Sequence, residues 1–82
     1  MRLDKYLKTS RLIKRRTLAK EACDKGKITV NGNAAKAGAD IKVGDEIAIT
    51  LGARTMTVVV ESLTEHVKKE EAQNMYKVKE QP

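Results

Sequence analysis

Gly26-Lys27-Ile28-Thr29-Val30-Asn31-Gly32 is where the hydrophobic period of the chain changes, and that change decides its architecture. Polar and apolar residues alternate from Lys27 to Val30, the mark of a strand with one buried face. Asn31-Gly32 then supplies the dipeptide best suited to a two-residue hairpin, in which both turn residues take positive φ. Gly26 stands where a helix would end, in the left-handed position just past its last turn. A helix therefore precedes this stretch and an antiparallel sheet follows it.

Working back, residues 14–24 carry Leu18, Ala19, Ala22 and Cys23 at i, i+1, i+4 and i+5, an apolar stripe on a helix. Arg15, Arg16 and Lys20 fall off that stripe. A shorter helix over residues 2–8 places Leu3, Tyr6 and Leu7 on one face, so Tyr6 is expected in the core rather than as a stacking residue. Thr9-Ser10 separates the two helices, with Ser10 expected to cap the start of the second. Working forward, Gly44-Asp45 introduces a strand over residues 46–51 with Ile47, Ile49 and Leu51 on one face. Gly52-Ala53 turns the chain into residues 55–61, where Met56, Val58 and Val60 share a face. The charged stretch 65–74 suits a helical turn and 75–79 a last short strand. No repeat or linker divides the chain. The expectation is one α+β domain, residues 1–82: two short N-terminal helices packed on a small, mostly antiparallel sheet.

The 82 residues include no Phe or Trp and only two Tyr, so the core must come from aliphatic side chains. The net charge of +6 favours an acidic partner. It is unevenly placed: residues 1–42 hold 12 Lys+Arg against 4 Asp+Glu, a balance of +8, and residues 43–82 hold 5 against 7, a balance of −2. Cys23 is the sole cysteine, which excludes an internal disulfide and suits a reducing compartment. No apolar run approaches the ~20 residues of a membrane span, and the N-terminus lacks the apolar stretch of a secretion signal. A soluble cytoplasmic protein with no membrane partner is expected.

Catalytic chemistry is hard to place. His66 is the only histidine, in a polar stretch without metal-ligand spacing, and reads as an exposed side chain. Cys23 lies on an apolar helix face and reads as core filler. Asp45-Glu46 follows a turn glycine and reads as part of that turn. Gly44 and Gly52 belong to no glycine cluster opening a helix, so no phosphate-cradling loop is present. Neither an enzyme nor a cofactor or metal site is expected.

Residues 11–20, RLIKRRTLAK, hold five cations and no acid. A solvated helix face would intersperse acids for i,i+4 pairs. A membrane-surface or calmodulin-type helix would carry bulkier apolar anchors. A polyanion would relieve the self-repulsion of such a surface. Arg and Lys suit phosphates rather than base edges, and scarce aromatics argue against stacking on single strands. The reading that remains is recognition of a folded RNA by its shape and backbone.

RLDKYL (residues 2–7), KRRTLAKEA (14–22), GKITVNG (26–32) and VGDEI (43–47), in this order and spacing, resemble the S-four RNA-binding domain, named after ribosomal small-subunit protein four. The likeness covers about residues 2–49. It implies that the two helices and the hairpin form an RNA-binding surface. Arg2, Arg16 and Lys20 would be its central contacts, with Arg11, Lys14, Arg15 and Lys27 flanking them. Lys5 and Lys8 are weaker candidates, and Asn31-Gly32 is better read as the hairpin turn. The family commonly carries bulky aliphatics late in the second helix where this chain has Ala22-Cys23, which leaves the closeness of helix–sheet packing open.

KKEEAQNMY (68–76), outside the general domain, extends the likeness to stand-alone members serving bacterial ribosome-associated quality control. That likeness implies a non-catalytic factor on a large ribosomal subunit with stalled peptidyl-tRNA. It would touch large-subunit rRNA and the tRNA beside quality control protein H and support alanine tailing of the nascent chain. A monomer off the ribosome is expected. The alternatives are a heat-shock recycling factor of the same domain type and an adaptor whose basic face docks an acidic protein.

Overall fold

The computed structural model describes residues 1–79; residues 80–82, included in the expected domain range, lie outside it. Helix α1 spans Leu3–Thr9 and α2 Arg16–Asp24. The strands are β1 (Ile28–Val30), β2 (Asn33–Ala34), β3 (Glu46–Leu51), β4 (Arg54–Val60) and β5 (Tyr76–Lys79), and a 3₁₀ helix covers Lys69–Met75. The strands form one antiparallel sheet in the order β2-β1-β3-β4-β5. The expected α+β architecture is the observed one.

The period change at Gly26 marks a real boundary. Gly26 takes φ 72° after α2, and the N–H of Lys27 bonds the Ala22 carbonyl at 2.9 Å, satisfying a carbonyl the helix leaves free. Asn31 and Gly32 take φ 53° and 86°, the two positive values that a hairpin turn of this hand requires. Asn31 does more than turn the chain. Its Oδ1 accepts the Glu46 N–H at 3.0 Å and its Nδ2 donates to Asp45 Oδ1 at 3.2 Å, tying the hairpin to the start of β3.

Helix α1 has no side-chain cap. Its free N–H groups go instead to the loop before β3, Leu3 to the Ala39 carbonyl at 2.8 Å and Asp4 to Ala37 at 3.1 Å. Ser10 is buried at the C-terminal end of α1, with its N–H on the Tyr6 carbonyl. It therefore closes the first helix, contrary to the cap assigned to it for the second. Helix α2 begins at Arg16, with Arg15 as its extended N-cap, so Lys14 and Arg15 belong to the connection.

The core joins Leu3, Tyr6 and Leu7 of α1, Ala19 and Cys23 of α2, and Ile28, Ile47, Ile49, Val58 and Val60 of the sheet. Small Ala19 and Cys23, one turn apart, are the residues α2 turns inward, so the departure at Ala22-Cys23 is compatible with a buried helix face. Two expected core residues are exposed. Leu18 is 47% exposed because it sits one position off the Ala19–Cys23 line. Leu51 is 58% exposed because it pairs with Arg54 at the hairpin end of the sheet. Both line a groove with Ile13, Ala22 and Ile49.

The segment after β4 is part of the core. Ala72 and Met75 are each 1% exposed. The buried Tyr6 hydroxyl donates to the Met75 carbonyl at 2.6 Å, and β5 completes the sheet edge against β4. Burial pushes the Tyr6 phenol well above its ordinary pKa, helped by the nearby Tyr76 and Glu61 charges.

Candidate nucleic-acid interface

Asp4 is the one acid among the eight cations of residues 1–20, and it is 3% exposed. Two arginines close on it. Arg2 Nε lies 3.3 Å from Oδ1 and Arg16 Nε 3.2 Å from Oδ2, with Arg16 Nη2 a further 3.5 Å from Oδ1. The Lys5 N–H adds a bond to Oδ1 at 2.8 Å. The arginine side chains remain 54% and 49% exposed. A guanidinium carries five N–H donors, so each keeps donors for an outside acceptor. Ordering them in advance lowers the entropy lost when a phosphate is gripped.

Burial alone would raise the Asp4 pKa. The Arg16 and Lys5 hydrogen bonds, with the charges of Arg16 and Arg2, outweigh it and hold the carboxyl below its usual 3.8. Asp4 is thus an anion at neutral pH, and the clasp keeps a net positive charge. A depressed folded value adds stability that is present above the unfolded pKa and lost as pH falls through the folded one. Thermal melts should therefore show a wild-type loss of stability below about pH 4 with a component that Asp4→Asn lacks. Parallel melting curves of the two proteins across that range would count against the clasp.

The other expected site residues divide between the neighbourhood of this pair and two grooves outside it. Lys20 is exposed on α2 and Arg15 is exposed at its N-cap. Arg11 and Lys14 line a cleft with Lys8 and residues 65–71. Lys27 lines the groove of Leu18 and Leu51, which has apolar walls. Among the described residues, none of Arg11, Lys14, Arg15, Lys20 and Lys27 is ion-paired within 4 Å. Lys5 is paired with Glu65 at 3.1 Å. Asn31 and Gly32 are the turn they were expected to be, and Tyr6 is wholly buried.

Asp4, which braces Arg2 and Arg16, is not among the expected site residues. Its signal was its isolation among cations. Cys23 is buried and its thiol pKa is raised by burial, with Asp4 and Asp24 adding to the shift. His66 is exposed. Among the described residues no group of three or more His, Cys, Asp or Glu could hold a metal. No described helix is long and apolar enough to cross a membrane.

Residues 1–47 match the S4 domain. The chain is 59% identical over 81 residues to the RQC P-site tRNA stabilizing factor of Halalkalibacterium halodurans, covering 99% of this chain and 92% of that one. It is 59% identical over 78 residues to the protein of that name in Bacillus subtilis, covering 95% and 91%. The structure superposes on trimeric heat shock protein 15 of Vibrio cholerae with a TM-score of 0.88 at 31% identity, over 96% of this chain and 81% of that one.

Proposed function

The chain belongs to the S4 domain family and, within it, to the RQC P-site tRNA stabilizing factors, and from that premise we propose that it steadies a P-site tRNA on a large ribosomal subunit. The substrate complex is a large subunit left with a stalled nascent chain on its tRNA. The protein contacts large-subunit rRNA and the peptidyl-tRNA, beside quality control protein H. With the tRNA held, protein H adds alanines to the stalled chain. The protein makes and breaks no bond itself, works in the cytoplasm and is a monomer off the ribosome.

The observation that carries this reading is the Arg2–Asp4–Arg16 clasp. A buried carboxylate fixes two half-exposed guanidiniums in one geometry, as a positional role for phosphates demands. Lys20 and Arg15 extend the cationic surface without internal neutralisation.

Purified large subunits carrying peptidyl-tRNA provide the test. Adding the protein is expected to slow tRNA loss during gradient sedimentation and, with protein H and alanyl-tRNA present, to lengthen the alanine tails. The rescue should weaken steeply with salt, with a log–log slope of about 0.7–0.9 per phosphate neutralised. Unchanged tRNA retention would remove the stabilising role. Faster tRNA loss would instead favour the recycling role, which the likeness to heat shock protein 15 supports less strongly than the higher identity supports tRNA stabilisation.

A further inference from the structure

A polar, open cleft of about 810 Å³, lined by none of the clasp residues, lies between the α1–α2 connection and residues 65–71. Lys8, Arg11 and Lys14 form one wall and Lys68 with His66 the other. Two acids, Glu65 and Glu71, also line it, and Glu65 is engaged by Lys5 at 3.1 Å. Counting Lys5, five cations face two carboxylates around one concave surface. Arg2, Arg16 and Lys20 contribute nothing to it, and the wall of residues 65–71 lies beyond the stretch that matches the S4 domain.

Arg11 adds an independent observation. It sits just past the end of α1 with φ 63°, its N–H on the Lys8 carbonyl at 3.0 Å. Glycine, and after it asparagine, suits this left-handed position, and an arginine is strained there. Helix termination alone gives no reason for an arginine. Strain of this kind concentrates where the side chain has work to do, and this side chain lines the cleft.

We propose that this cleft is a second RNA grip, taking a phosphodiester backbone between Lys8, Arg11 and Lys14 on one side and Lys68 on the other. It rests on the reading of the chain as an RNA-holding factor and deepens it. The Asp4 clasp and the cleft are two separate cationic surfaces, which is what a protein bridging two RNA elements requires. The residues after the S4 match thereby carry a binding role in addition to closing the core.

Two variants test the cleft, with labelled tRNA and purified large subunits as separate probes. Arg11→Gly is expected to raise the melting temperature, because strain is relieved, while RNA affinity falls. Lys14→Glu with Lys68→Glu is expected to keep the fold and lose at least roughly threefold in affinity for one probe or both, with a flatter salt dependence. Lys42→Glu with Lys77→Glu makes the same change in net charge away from the cleft, and should lose less than the cleft pair on each affected probe. Losses under threefold on both probes for the folded cleft pair, or equal losses in the control pair, would overturn the proposal. If that happens while the wild type binds RNA normally, only the cleft fails. A wild type that binds neither probe would remove the RNA-holding reading and the cleft together.

Discussion

Arg16→Ala is expected to lower stability by about 1–3 kcal/mol and to abolish sedimentation with large subunits. The stability loss follows from what remains behind. Asp4 is 3% exposed, and without Arg16 it keeps only Arg2 and the Lys5 N–H as partners. Removing one partner of a buried charge costs more than the pair contributed, and the half-exposed site, which water can reach, holds the figure to the lower range. Removing Asp4 as well separates folding from binding. In Asp4→Ala with Arg16→Ala the uncompensated carboxylate is gone, so part of the stability should return while subunit binding stays lost. Urea unfolding beside sedimentation reads both quantities. Full recovery of binding in that double variant would show that Arg16 serves Asp4 alone.

Met75→Ala is expected to cost about 2–4 kcal/mol, a large share of the roughly 4–12 kcal/mol typical of a domain this size. Met75 is 1% exposed and lies beyond the 1–47 stretch that matches the S4 domain. Its carbonyl accepts the Tyr6 hydroxyl at 2.6 Å and the Glu61 N–H at 2.8 Å, so the residue joins α1, the end of β4 and the start of β5. Val78, three residues on, is 50% exposed, and Val78→Ala should fall within about 0.5 kcal/mol of wild type. Urea midpoints of the two variants decide the matter. Equal midpoints would mean that the first 47 residues carry the fold without this closure.

Local rules made the sheet readable in advance. Strand β3 occupies the expected residues 46–51, because alternation places Ile47 and Ile49 on one face and the bounding turns are chemically distinctive. The Asn31-Gly32 hairpin and the glycine ending α2 depend only on neighbouring φ values. Leu18 and Leu51 were misplaced because periodicity gives the direction of a side chain along its own element and says nothing of where the covering element ends. Ser10 was misplaced because a cap can close the preceding helix as well as open the next.

For the site, composition and motif order identified the cations but not their grouping. Arg2, Arg16, Arg11 and Lys14 were all legible as candidate contacts. That the first two share a buried Asp4, and the last two a cleft, requires residues 12 and more than 50 positions apart to meet. The order of helices and strands, the two turn geometries and the basic character of the N-terminal half are written in the residue pattern, because each follows from interactions between near neighbours. Which cations are braced, which face an open cleft, and that residues 69–79 close the core emerge only in the folded chain. Those outcomes depend on long-range packing and on charge removed from water, neither of which a local pattern records.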